Sequence, residues 1–239
     1  MPLAILQARM SSSRLPGKVL LPLAGAPMIV RQIERVRRAR RIGQLVVATS
    51  TDASDDPLAD VAADAGVEVY RGPLDDVLAR FAGALAAHPA DHLVRLTGDC
   101  PLGDPEAIDA TVALHLESGA DYTSNTPSTF AYPKGLDVEV ITADALRRAA
   151  DAAATPEERE HVTWGVWNHP DRYRIAWLRS AEADDGDIRW TVDRPDDYAF
   201  VAQVYEALHS GNSAFTSADI RAFVASRPDL AKFGGDRRL

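Results

Sequence analysis

Short apolar runs alternate with amphipathic stretches along the first half of the chain, and this alternation constrains the fold more than any other feature. A hydrophobic period that switches repeatedly between strand and helix is the pattern of βαβ units, in which helices cover a largely parallel sheet. Residues 3–8 read as a first strand, and Pro27 opens a helix whose apolar positions are Met28, Ile29, Ile33 and Val36. Further strands are expected at 45–49, 67–70 and 93–97, with helices starting near Pro57 and running over 74–86 and 105–118. The second half changes character. Residues 135–141 alternate as a half-exposed strand does, which places Asp137 and Glu139 on one face and Leu136, Val138 and Val140 on the other. A helix over 143–153 follows, and Thr155 and Pro156 supply the N-cap and first position of another. Strands at 173–178 and 188–192 and helices at 195–209 and 217–226 complete the pattern. With no repeat or long linker, residues 1–239 read as one α/β domain with an elaborated C-terminal half. The final stretch, AKFGGDRRL, carries no motif.

At 239 residues, 46% of them hydrophobic, the chain is long enough to bury a core without staples, and its single cysteine, Cys100, cannot form an intramolecular disulfide. One cysteine suits a reducing compartment, so a cytoplasmic protein is expected. The N-terminal MPLAILQARM lacks the basic lead-in and cleavage pattern of a signal peptide, and no run approaches the roughly 20 apolar residues of a membrane span. Membrane is therefore not an expected partner, and a net charge of −9 argues against nucleic acid as one. The charge is unevenly spread. Residues 1–41 carry nine basic side chains against one acid, Glu34, whereas the rest of the chain holds 17 basic and 34 acidic residues. A basic segment on an acidic body fits a local anion site such as a polyphosphate. Within it, the arginines from Arg35 to Arg41 are expected to form a solvated helix face.

Three segments hold the residues that chemistry needs. Gln7-Ala8-Arg9-Met10-Ser11-Ser12-Ser13-Arg14-Leu15-Pro16-Gly17-Lys18 leaves the first strand at its C-terminal end, where open α/β sheets bind ligands. Small residues there let backbone amides approach an anion, while Arg14 and Lys18 add a planar donor fork and a point charge. The glycine spacings of the Walker A loop and the dinucleotide fingerprint are both missing, and a flexible polar loop is the alternative reading. In Thr97-Gly98-Asp99-Cys100-Pro101, glycine permits a sharp turn and Asp99 lands at the sheet edge, where a carboxylate can hold Mg²⁺ against substrate phosphates. A turn-forming aspartate is the competing reading. In Arg189-Trp190-Thr191-Val192-Asp193-Arg194-Pro195, Asp193 is either the N-cap of the next helix or, with Asp99, a second Mg²⁺ carboxylate.

The run QARMSSSRLPGKVL, followed in order by PLDDVLARF, VRLTGDCPL, GLDVEV, EREHVT and RWTVDRPDDY, resembles the cytidylyltransferase superfamily of CMP-sugar synthetases, particularly its spore-coat polysaccharide biosynthesis branch. The resemblance implies a Rossmann-like α/β fold: a mostly parallel sheet with helices on both faces and an added β-hairpin and helical C-terminal half. It also implies CTP and Mg²⁺ as ligands and a homodimer. Gln7, Ala8, Arg9 and Thr97 would then contact the nucleotide, with Ala8 and Arg9 near cytosine and ribose and Arg14 and Lys18 on the triphosphate. Arg80 of DVLARF is a further nucleotide contact on this reading, a helix-surface arginine being the alternative. Asp99 and Asp193 would ligate Mg²⁺ and, with Arg14 and Lys18, form the catalytic set. Asp137, Glu139, Arg159, Glu160 and His161 would face the acceptor, although His161 can instead pair with Glu157 or Glu158 along a helix. The implied reaction is in-line attack of an acceptor oxygen on the α-phosphorus of CTP, releasing pyrophosphate. GLDVEV and EREHVT differ from the acceptor halves of sialic-acid and octulosonate synthetases, so the acceptor is expected only as a sugar-like or acidic small molecule. The same chemistry on a phosphonate, and a nucleotide-binding module without catalysis, are the alternative functions.

Overall fold

Leu3–Gln7 (β1) sends Leu3 and Ile5 into one apolar core and Ala4 and Leu6 into another, and all four are buried. A strand covered on both faces belongs in the middle of a sheet. The computed structural model, which describes residues 1–126, 132–180, 185 and 187–230, places it there. A small hairpin, β2 (Pro22–Leu23) and β3 (Ala26–Pro27), leads into α1 (Met28–Val36). Then come β4 (Gln44–Ser50), α2 (Asp56–Asp64), β5 (Glu68–Gly72), α3 (Val77–Ala87), β6 (His92–Thr97) and α4 (Pro105–Ser118). The second half supplies β7 (Tyr122–Ser124), β8 (Glu139–Thr142), α5 (Ala143–Ala152), α6 (Pro156–Glu160), α7 (Trp164–Trp167), β9 (Ile175–Trp177), α8 (Pro195–Leu208) and α9 (Ser217–Ala225).

The strands form one seven-stranded sheet in the order β5-β4-β1-β6-β8-β7-β9. The first four are parallel, β8 runs antiparallel to both neighbours, and β9 is parallel to β7. Helices cover both faces: Met28 and Ile29 of α1, Leu58 of α2, Ile108 of α4, Val204 of α8 and Ile220 of α9 fill one core, and Phe81 of α3, Leu146 of α5 and Val166 of α7 the other. From β1 the chain builds outward to β4 and β5, then returns to the other side of β1 for β6. That reversal opens a crevice above the C-terminal ends of β1 and β6, the place where such sheets take ligands. No described helix is long and apolar enough to cross a membrane.

Three expectations are corrected by the structure. Residues 135–138 do not continue β8, because the Asn125 side chain takes the place of a neighbouring strand: its Nδ2 donates to Leu136 O at 2.7 Å and its Oδ1 accepts from Val138 N at 2.8 Å. Gly135 turns there with φ 110°, and a Cβ on it would lie 2.6 Å from Thr191 N, so only glycine fits. Residues 188–192 make a single bridge, Lys134 with Arg189, rather than a strand. They run between two different segments, Trp190 N donating to Lys134 O and Val192 N to Asp99 O. Finally, Arg35 is not solvated. It is 1% exposed, donates to Gly103 O and Phe215 O, and stacks on Phe215 at 4.4 Å, which ties α1 to the segment before α9. The final AKFGGDRRL lies outside the described residues.

His115 of α4 is buried, with Nε2 3.0 Å from His92 Nδ1 and Nδ1 3.0 Å from Thr123 Oγ1. Burial first, then neighbouring His92, pushes its pKa down to about 4 against the opposing charge of Asp121. The unfolded chain takes up this proton near pH 6.5 and the folded chain only near 4, so stability falls as pH drops through that window. Between pH 7 and 5, urea denaturation is expected to show a loss of about 2 kcal/mol from this group, and His115→Asn to flatten the slope. An unchanged pH dependence in the variant refutes the assignment.

Candidate active site

The loop leaving β1 is fastened at both ends. Gly17 N donates to Met10 O at 3.0 Å, closing residues 10–17 into a compact turn in which Gly17 adopts φ 70°, a conformation that favours glycine. Met10 N donates to Oδ1 of Asp55 at 2.7 Å, and Oδ2 of the same carboxylate accepts from Thr49 Oγ1 and Ser50 N. Burial pushes the Asp55 carboxyl up, but these donors and the Ser50 hydroxyl overcome it and hold the group below its ordinary value. Asp55 is therefore a buried anion that pins the start of the loop to β4.

So fastened, the loop delivers Lys18 inward. Its Nζ donates to Val192 O at 2.6 Å and lies 3.0 Å from Asp193 Oδ1 and 3.5 Å from Asp99 Oδ2. Asp99 reaches this point because Gly98 turns against β1: Gly98 N donates to Gln7 O at 2.7 Å, and a Cβ there would lie 2.8 Å from that of Ala8. Thr97 Oγ1 donates to Asp99 Oδ1 at 2.6 Å. Asp193 also meets Arg14 Nη2 at 3.1 Å and Arg189 Nη2 at 2.7 Å. Burial raises the Asp193 pKa, yet Lys18, Arg189 and Arg14 together hold it well below the usual carboxylate range. The helix start is served by Asp197 instead, whose Oδ2 accepts from Asp193 N and Arg194 N, so Asp193 is not the N-cap of α8.

Gln7, Ala8, Arg9, Arg14, Lys18, Arg95, Thr97, Asp99 and Asp193 are among the residues lining a cleft of about 310 Å³ at the sheet's switch point. Two aspartates converging beside a lysine are a hard-oxygen donor set of the kind Mg²⁺ takes when substrate phosphates complete its shell. Among the described residues no group of three or more His, Cys, Asp or Glu is arranged to hold a metal ion.

The remaining predicted residues do not line this cleft. Arg80 is not on the helix surface: it is fully buried and donates to Pro73 O and Leu74 O, bracing the turn before α3. Glu139 is engaged at both oxygens, Oε2 with Arg95 Nη1 and Oε1 with Tyr122 Oη at 2.6 Å and Thr163 Oγ1 at 2.7 Å. Asp137 sits at the Asp99 end, since burial, then Asp99, then Asp137 drive the Cys100 thiol well above its ordinary pKa. Arg159 pairs with Asp76 at 3.1 Å, and Glu160 and His161 are exposed. The Glu158 carboxylate accepts from the Ala154 and Thr155 amides and does not pair with His161. Val162 then turns with φ 34°, rare for a β-branched residue, and brings Thr163 onto Glu139. The sequence reading passed over Arg95, Asp55, Arg189, Tyr122 and Thr163. Arg95 had a signal, a charge within the apolar strand HLVRLT. Asp55 and Tyr122 had none, being one acid among several in a turn and one aromatic among apolar neighbours.

Residues 3–209 match the family model described as cytidylyltransferase. The spore coat polysaccharide biosynthesis protein SpsF of Bacillus subtilis (strain 168) is 36% identical over 210 residues, which cover 85% of this chain and 86% of that protein. Among solved structures, a cytidylyltransferase from Leptospira borgpetersenii aligns over 100% of this chain and 98% of its own, with a TM-score of 0.90 and 28% identity. A CMP:2-keto-3-deoxy-manno-octonic acid synthetase complexed with CTP shares the fold, with a TM-score of 0.66 and 19% identity over 86% of this chain and 99% of that one. With three of its motifs meeting at one cleft and most of its length matched, the chain belongs to the cytidylyltransferase family.

Proposed function

We propose that the chain is a Mg²⁺-dependent enzyme that moves CMP from CTP to a sugar-like or acidic small-molecule acceptor and releases pyrophosphate. The observation that carries this reading is Lys18 Nζ held 3.0 Å from Asp193 and 3.5 Å from Asp99 at the base of the cleft, with Arg14 beside it. Transfer at the α-phosphorus loads charge onto the departing pyrophosphate, which Arg14 and Lys18 would neutralise. Asp99 and Asp193 would hold Mg²⁺, which when bound offsets phosphate charge and orients the reacting group. Gln7, Ala8, Arg9 and Thr97 would take the nucleotide, and the shared fold with a synthetase complexed with CTP supports that donor. Asp137, Arg159, Glu160 and His161 would surround the acceptor. A hydroxyl acceptor needs a base, and Asp137, whose charge acts on Cys100 next to Asp99, is assigned that role. Similarity to the spore-coat protein supports a product used in polysaccharide biosynthesis.

The resemblance to dimeric synthetases also leads us to propose a homodimer through the sheet edge. Among the described residues β9 has a neighbour on one side only, its Trp177 is 38% exposed, and Trp164 at the start of α7 is 39% exposed. Sedimentation is expected to give a dimer, and Trp177→Glu a monomer; a monomeric wild type refutes this assembly.

Pyrophosphate release measured with each nucleoside triphosphate and a panel of sugar acids, sugars and phosphonates is expected to require CTP and Mg²⁺. Asp99→Ala and Lys18→Ala are each expected to lower turnover by roughly a hundredfold or more while leaving the circular dichroism spectrum intact. Near-wild-type turnover in both variants excludes the reading.

A further inference from the structure

We infer that Arg95 and Gln7 form a donor pair for the α-phosphoryl oxygens of the bound nucleotide, and that Glu139 is the positioning residue that holds Arg95 in place. This rests on the cleft being a CTP site. Arg95 on β6 stands opposite Glu139 on β8 and Ile5 on β1, and Gln7 lies two residues beyond Ile5, so these side chains share one face of the sheet. Arg95 Nη1 pairs with Glu139 Oε2, and its Nε donates to Gln7 Oε1 at 3.3 Å. Glu139 is itself fixed by hydroxyls from two further elements, Tyr122 on β7 and Thr163 before α7. A carboxylate with both oxygens so engaged has little left to offer an acceptor, and its evident effect is on Arg95.

The consequence reaches the cleft. Arg95 lines it and its side chain is 16% exposed, so the guanidinium is fixed in direction yet open to a ligand. Gln7 lines it too, and with its carbonyl oxygen accepting from Arg95, the group it offers a ligand is the amide N–H₂. Both therefore present donors only, and phosphoryl oxygens accept only. Location selects which phosphoryl. Gln7 O accepts from Gly98 N at 2.7 Å, and the Asp99 charge acts on Arg95, so the pair lies beside the carboxylate assigned to the metal. Arg14, whose side chain is 58% exposed, and Lys18 are the cations assigned above to the departing phosphates. Arg95 is already matched by Glu139 and adds directed N–H groups with little net charge, which suits orientation of one phosphoryl group rather than capture of a polyanion.

Titration calorimetry with cytidine, CMP and CTP in Mg²⁺ tests this. Gln7→Leu and Arg95→Lys are expected to leave cytidine affinity unchanged and to shrink the gain from cytidine to CMP by roughly tenfold. Glu139→Gln is expected to shrink it in the same way, whereas a merely structural role would weaken cytidine and CMP alike. Thermal melts establish that each variant folds, and Gln7→Leu, which removes no buried charge, decides the matter if Glu139→Gln does not. A cytidine-to-CMP gain equal to wild type in Gln7→Leu and Arg95→Lys overturns the inference. Failure of the wild-type protein to bind CTP overturns the nucleotide reading itself.

Discussion

The ammonium of Lys18, held between Asp193 and Asp99 and against Val192 O, is the interaction on which the site depends. It joins residues 174 and 175 positions apart, the loop of the first βα unit and the segment leading into α8. Burying a charge of this kind is unfavourable unless partners surround it, and removing one partner leaves the other uncompensated. The surroundings meet that demand by alternating sign outward: Lys18 and Arg14 against Asp193, Asp193 against Arg189, and Arg189 against Asp197 at 3.0 Å. Asp197 then closes the chain of charges on the backbone at the start of α8. A cluster balanced in this way holds the Asp193 carboxylate ionised at the base of the cleft despite its burial.

Two other buried carboxylates shape the cleft without lining it. Asp55 fixes where the loop begins, and Glu139 fixes the direction of Arg95. Both stay ionised because donors from several elements outweigh burial, so each makes the position of a cleft group depend on the whole sheet. Groups held at that precision before a ligand arrives need no reorganisation when charge shifts during phosphoryl transfer, which is the main route to catalysis in such chemistry. The segment around α6 is built differently. Glu160 and His161 are exposed at the end of this short helix, which is joined to the rest through Arg159–Asp76 and Thr163–Glu139.

Where local pattern and local chemistry coincide, the chain is legible before folding. Alternating periods announced the parallel core, because β1, β4 and β6 carry buried apolar residues at their centres and the helices between them are one-sided. Asp99 and Asp193 were visible because each ends a largely apolar run close to glycine or proline, and Arg14 and Lys18 because they flank Pro16-Gly17 in the loop where the first strand gives way at the sheet's ligand-binding edge. The sequence by itself thus determined the fold class and the three segments that line the cleft, the loop after β1 and the two ending in aspartates. Tertiary structure decided everything that rests on partners far apart in sequence. Only folding shows that residues 135–138 pair with an asparagine side chain, that Arg35 and Arg80 turn inward, and that Glu139 serves Arg95. The reason is physical: strand periodicity and capping act within a few residues, whereas whether a buried charge is tolerated depends on donors and acceptors that the sheet brings together from four or five separate elements.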